Sequence, residues 1–182
     1  MGRFAAVDVY YPSDGDARAA LVLAKDATFS TVESTATASG PVAAEYQSGE
    51  FYRRELPALR PLLASITEIE LLIVDGYVDL DPDGRPGLGA YVHDEFGMPV
   101  IGVAKSLFRT ATHAIPVLRG TSNRPLFVTA AGVPLPDAAQ LVLQMNGDYR
   151  IPEALRLVDA LTRTPTVEPD EPAPLPRRRN EP

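Results

Sequence analysis

The sequence predicts an α/β fold: a mixed sheet, three antiparallel strands continued by parallel ones, flanked by helices. Three observations carry this expectation. The first forty residues hold three strand-like segments divided by short turn clusters. Leu71–Val74 and Pro99–Ala104 are unbroken apolar runs, as strands buried on both faces require. Helix-spaced apolar residues precede, separate and follow those two runs. A length of 182 residues suits one domain with a real core, expected over residues 1–163.

Each element follows from local chemistry. Phe4–Pro12 alternates and is rich in Val and Tyr, a first strand. Pro12–Asp16 is a turn cluster of the hairpin kind, so Ala19–Lys25 returns antiparallel, and Phe29–Ala38 follows as a third strand. Glu50–Ser65 is helical, with Phe51, Leu59, Leu62 and Leu63 on one face; Pro57 and Pro61 are expected to bend or break it. Leu71–Gly76 is the next strand. Leu88–Phe96 is a helix closed by Gly97, and Pro99–Ala104 is the strand after it. Strand, crossover helix and strand make a βαβ unit with parallel strands. Ile115–Leu118 and Pro125–Thr129 read as edge or hairpin strands, and Asp137–Met145 and Pro152–Leu161 as helices. Residues 164–182, dominated by proline and charge, are expected to be a disordered tail.

Composition narrows the function classes. There is no apolar run of the ~18 residues a membrane span needs. The N-terminal residues enter a strand pattern rather than a signal peptide. Cysteine is absent, which removes thiolate metal sites and cysteine nucleophiles and fits a cytoplasmic setting. The net charge of −7 argues against a broadly basic nucleic-acid binder, though not against a local basic patch.

Three acids occupy positions where the pattern asks for a hydrophobe. Asp8 lies between Val7 and Val9 in mid-strand. Glu55 is four residues from both Phe51 and Leu59, on the apolar stripe of its helix. Asp75 ends the buried run Leu71–Val74. A carboxylate there is unfavourable unless something pairs with it. Asp75 alone reads equally as a turn residue before Gly76 or as a site residue over the sheet edge. Three such misfits on separate elements suggest convergence. Clustered carboxylates repel unless a cation neutralises them, and hard oxygen donors without thiolates point to Mg²⁺, with Mn²⁺ as the substitute. Lys105, ending the neighbouring parallel strand, is a candidate phosphate ligand, though a solvated strand end is the plainer reading. His93 and His113 show no ligand spacing. Arg53, Arg54, Arg119, Arg124 and Arg150 are candidate phosphate contacts, but scattered arginines usually lie on a solvated face.

Ordered along nearly the whole chain are Ala-Ala-Val-Asp-Val (5–9), Tyr46 followed by Glu55, Val-Asp-Gly (74–76), Gly-Leu-Gly-Ala (87–90), Pro-Val-Ile-Gly-Val-Ala-Lys (99–105), Pro-Leu-Phe-Val-Thr (125–129) and Tyr-Arg-Ile-Pro-Glu-Ala-Leu-Arg-Leu-Val-Asp (149–159). This set resembles the endonuclease V family, the deoxyinosine-directed nucleases. The resemblance implies an RNase H-like fold and a monomeric enzyme. It implies Mg²⁺-dependent nicking of nucleic acid at the second phosphodiester 3′ to a deaminated base, inosine foremost. It implies that Asp8, Glu55 and Asp75 bind metal, with Asp159 completing the site and Lys105 catalytic. Tyr46 resembles the aromatic wedge that fills the gap left by an extruded base, and Gly76, Gly87 and Gly102 the glycines lining a base pocket. Several positions depart from the family pattern, Tyr91 among them where a histidine is common. The wedge is framed by Glu45 and Gln47-Ser48 in place of prolines, and Asp81-Pro82 stands where a His-Pro pair is usual. An RNA or other-lesion nuclease, or a binding relative without turnover, are the alternatives these departures raise.

Overall fold

The protein is described by a computed structural model covering residues 2–13, 16–41 and 52–164. Seven strands form one sheet: β1 (Arg3–Tyr10), β2 (Ala17–Ala24), β3 (Val32–Gly40), β4 (Ile69–Asp75), β5 (Val100–Ala104), β6 (Ile115–Val117) and β7 (Leu126–Ala131). Their spatial order is β3-β2-β1-β4-β5-β7-β6. The β1–β2 and β2–β3 pairs are antiparallel, β1–β4 and β4–β5 are parallel, and the sheet closes with antiparallel β5–β7 and β7–β6. The opening meander and the βαβ unit are therefore as expected.

Among the described residues four helices cover the two faces: α1 (Tyr52–Ala64), α2 (Leu88–Phe96), α3 (Leu135–Gln144) and α4 (Glu153–Arg163). Leu56, Leu59, Leu62 and Leu63 of α1, with Leu88 and Val92 of α2, pack on Ala5, Val7, Leu72 and Val74. Val142 of α3 and Leu155 and Val158 of α4 pack on Ala6, Ile73, Ile101 and Val103. The two-residue alternation of strands produces both cores from the same segments.

Element ends shift by a residue or two throughout, and three differences from expectation stand out. The α1 helix runs unbroken through Pro57 and Pro61. Each proline removes one backbone donor, but four buried leucines hold the segment against the sheet. Strand β3 starts at Val32 rather than Phe29, because Asp26 accepts hydrogen bonds from the amides of Thr28, Ser30 and Thr31 and so ties 26–31 into a turn. Phe29 takes φ 59° inside that turn and drops its ring into the α3/α4-side core. Helix α4 continues to Arg163, two residues past its expected end. The Tyr46 wedge and Phe51 lie outside the described residues, as does the tail from residue 165 onward.

Candidate active site

Parallel pairing sets the site. Val7 of β1 lies opposite Val74 of β4, so Asp8 and Asp75 are the next residues along adjacent parallel strands. Asp75 in turn lies opposite Val103 of β5, and Lys105 is two residues further on. Ala6, Ile73 and Val103 all face the α3/α4-side core, and alternation puts Asp8, Asp75 and Lys105 on that same face. Helix α4 packs across β1 and β2 there and carries Asp159. Glu55 arrives from the opposite layer on α1, one turn before the buried Leu59.

Electrostatics links the five groups. Burial raises Asp8 to about 7, and Asp75 and Asp159 add to the rise, while Lys105 and the Val9 amide, 2.8 Å from Asp8 Oδ1, oppose it. Burial also raises Glu55, well above the carboxylate range, reinforced by the charges of Asp8 and Asp75 and offset by Arg54. Asp75 is raised by burial although the Lys105 ammonium donates a hydrogen bond to it. Burial favours a neutral Lys105, but Asp75, Asp8 and Asp159 outweigh it and hold the amine protonated. Asp159 is the exception: Arg163 grips both its oxygens at 3.1 Å and lowers it. The Arg163 guanidinium also lies 4.5 Å from the centre of the Tyr10 ring.

Among the described residues, no three His, Cys, Asp or Glu side chains form a group that could hold a metal ion. Two of the carboxylates instead face the protein's own cations, Asp75 with Lys105 and Asp159 with Arg163. The chemistry of the donor set nonetheless suits a hard divalent ion. It offers carboxylate oxygens only, and burial, reinforced by neighbouring carboxylates, makes Asp8, Glu55 and Asp75 poor anions unless a cation joins them.

The loops beyond β4 and β5 are locked together. Gly76 has φ 150°, a conformation that side chains disfavour, and its amide donates to Val103 O at 3.1 Å. The Val78 amide donates to the buried hydroxyl of Thr129 at 2.8 Å, and Gly87 donates to Val78 O at 2.6 Å. A Cβ on Gly102 would stand 2.7 Å from Gly76 O and Val78 N, and one on Gly87 2.7 Å from Tyr77 O. These two glycines thus admit the Gly76–Val78 backbone. The Tyr77 hydroxyl donates to Ser106 O at 2.8 Å and accepts from the Phe108 amide at 2.9 Å, clipping the turn after Lys105.

Two arginines brace the same region. Arg150 donates to the carbonyl oxygens of Lys105, Arg124 (2.9 Å) and Pro125 (2.9 Å). Arg119 is only 5 % exposed and donates to the carbonyls of Met145, Gly147 (2.9 Å) and Tyr149 (3.0 Å). The expectation of scattered surface arginines fails for this pair. Their acceptors are backbone oxygens distant in sequence, which no residue pattern announces. The Asp159–Arg163 pair did leave a signal, an acid and a base four apart on one helix. His93 donates from Nδ1 to Met98 O at 2.6 Å, and both ring nitrogens of His113 are buried without partners near Asp79, so neither joins the carboxylates.

Comparison with known proteins places the chain in a family. The sequence profile of the Endonuclease V family matches residues 1–122. An endonuclease V of Streptomyces coelicolor is 33% identical over 184 residues, spanning 89% of this chain and 78% of that protein. The crystal structure of the Streptomyces avermitilis endonuclease V superposes with a TM-score of 0.76 at 32% identity, over 90% of this chain and 80% of that one. An endonuclease V from Ciona intestinalis, crystallised with a 23mer DNA containing an inosine followed by a ribo-adenosine, shares the fold with a TM-score of 0.78 at 20% identity, over 88% of this chain and 83% of that one.

Proposed function

Since this chain belongs to the endonuclease V family and is a nuclease of RNase H-like fold, we propose that it nicks nucleic acid at the second phosphodiester 3′ to a deaminated base, inosine foremost, in a Mg²⁺-dependent reaction. The observation that supports this most directly is the electrostatic coupling of Asp8, Glu55 and Asp75, three acids from separate elements with raised proton affinity and a lysine beside them. In this reading Asp8, Glu55 and Asp75 hold the ion and Asp159 completes the set. A divalent ion, when bound, supplies charge neutralisation at the phosphate and a water of lowered pKa. Lys105, kept protonated by the acids, contacts a non-bridging phosphate oxygen and releases Asp75 as it does so. Arg163 must likewise release Asp159. Gly76, Gly87 and Gly102 form the floor where an extruded base is received, and Tyr46 is the wedge. The Ciona intestinalis protein held with inosine-containing DNA has the fold that this reading requires.

The testing experiment is a cleavage panel. Labelled inosine, uracil, abasic and undamaged strands, as DNA and RNA, are incubated with Mg²⁺, Mn²⁺ or EDTA. Nicking of the inosine strands with metal, and none in EDTA or by Asp75→Ala, is expected. Undiminished cutting in EDTA, or by that variant, sinks the proposal. A second reading, a binding relative without turnover, is favoured by the Lys105 and Arg163 contacts that occupy two of the four acids. It predicts tight binding of inosine strands with no product under any metal.

A further inference from the structure

Three arginines near the candidate site, Arg124 and Arg150 side by side and Arg119 under the Met145–Tyr149 segment, have no carboxylate partner in an ion pair among the described residues. Arg119 and Arg150 spend their donors on carbonyl oxygens, which leaves their charge uncompensated. Arg124 is exposed and close enough to lower Arg150 further, after burial, by charge repulsion. The Ser122 hydroxyl accepts from the Arg124 amide at 3.1 Å and so fixes its turn. An unbalanced positive cluster is notable in a chain of net charge −7.

Next to the cluster is a cleft of about 430 Å³ lined by Ser122, Asp148, Tyr149, Arg150 and Arg156 among others. Tyr149 is 65 % exposed, the most exposed of the large apolar side chains in the described fold. It is not loose: the Arg156 guanidinium packs 4.8 Å from the centre of its ring, and Glu153 holds Arg156 at 3.1 Å. One ring face is thereby propped and the other is presented outward. Asp148 is the single unpaired acid in the lining. A rigid, exposed aromatic beside uncompensated guanidinium charge is the combination that binds single strands, bases stacking on the ring and phosphates on the arginines. The cleft also connects to the site through one hydrogen bond, from Arg150 to the carbonyl of Lys105.

We infer that the cleft at Tyr149 is a single-strand subsite, holding an unpaired stretch of the strand being cut at a flank of the scissile phosphate, with a base stacked on Tyr149 and a phosphate drawn to Arg124, which adjoins the lining through the bond from Arg150 to its carbonyl. This rests on the nuclease reading for its substrate. It goes beyond that reading by giving the strand a second anchor outside the acids and the wedge.

The test is fluorescence anisotropy with a labelled single-stranded inosine oligonucleotide across a salt series, in EDTA and separately with Ca²⁺. Tyr149→Ala should weaken binding about 5- to 150-fold, the range for loss of one base–aromatic stack. Arg124→Ala should lower the slope of log K against log salt by about 0.7, one phosphate contact on a single strand. Arg156→Ala should reproduce part of the Tyr149 effect by removing the prop. All three side chains are on the surface, and unchanged melting temperatures confirm an intact fold. If the wild type binds and the variants match it in affinity and slope, the subsite is refuted and the nuclease reading is untouched. If the wild type binds through the cleft but yields no product from inosine strands with Mg²⁺ or Mn²⁺ in the cleavage panel, the proposed inosine-directed reaction falls and the subsite stands. A wild type that binds no strand in either condition overturns both.

Discussion

At the residue scale the decisive group is Asp75. It ends β4 on the strand beside Asp8, accepts a hydrogen bond from the Lys105 ammonium, and adds to the rise of both Asp8 and Glu55. Asp75→Asn keeps the shape and removes the anion. It should lower the nicking rate by at least ~100-fold, in line with loss of a catalytic group, while the melting temperature of the metal-free protein holds or rises because a buried charge is gone. Stopped-time cleavage assays and thermal scans on the same preparation check both halves. Arg150 is a positioning residue: it touches the carbonyl of Lys105, not the reacting atoms. Truncating it leaves three carbonyls unpaired, each worth about 1–3 kcal/mol if buried. Arg150→Ala should therefore reduce kcat more than it raises KM, and Arg150→Lys should not rescue it, since an ammonium cannot reproduce the fork. A variant with wild-type kcat and an altered KM alone would show that Arg150 serves binding and not Lys105.

At the element scale the site depends on a floor built from two loops and one strand. Thr129 of β7 is fully buried and its hydroxyl accepts from the Val78 amide. Thr129→Val preserves shape and strands that amide, so stability should fall by about 1–3 kcal/mol in urea denaturation. Gly102→Ala should be more damaging, because its Cβ would press on two backbone atoms at 2.7 Å that no side-chain rotation can relieve. This scale also shows what was legible in the sequence. The β4–α2–β5 unit was visible because a doubly buried strand must be apolar throughout, and Asp75 stood out against that run. Asp8 and Glu55 were visible for the same reason, one in a strand and one on a helix stripe. The braces were not. Thr129 reads as an ordinary strand residue, and Arg119 and Arg150 as surface charge, because their partners are backbone atoms brought near by the fold. The α1 prolines misled in the other direction: local chemistry disfavours the helix, and packing of Leu56, Leu59, Leu62 and Leu63 overrides it.

At the scale of the whole molecule, the raised acids tie stability to pH and to cation. Asp8 titrates near 3.8 when unfolded and about 7 when folded, so between those values the native state binds more protons than the unfolded one. Stability linked to Asp8 is thus fully present below pH ~4 and is lost as pH rises through 7. Glu55 and Asp75 are raised and act in the same direction. Asp26 runs opposite: its hydrogen bond from Thr28 outweighs a small burial effect and, with those from Ser30 and Thr31, holds it at about 2, a contribution lost as pH falls below the unfolded value. The metal-free protein should accordingly melt highest in mildly acidic buffer and lower at pH 7.5. A divalent ion performs the protons' task once they have left, so Mg²⁺ should restore stability at pH 7.5 and do little at pH 5. At a hundredfold excess over Kd the gain is about 2.7 kcal/mol, several degrees in Tm for a domain of this size. Scanning calorimetry in EDTA and in Mg²⁺ across pH 4–8 measures this directly. In Asp8→Asn both the neutral-pH loss and the Mg²⁺ recovery should shrink together. A flat profile in EDTA would show that the acids are solvated rather than gathered. A sloping profile that Mg²⁺ leaves unmoved would show that they are gathered around Lys105 and not around a metal.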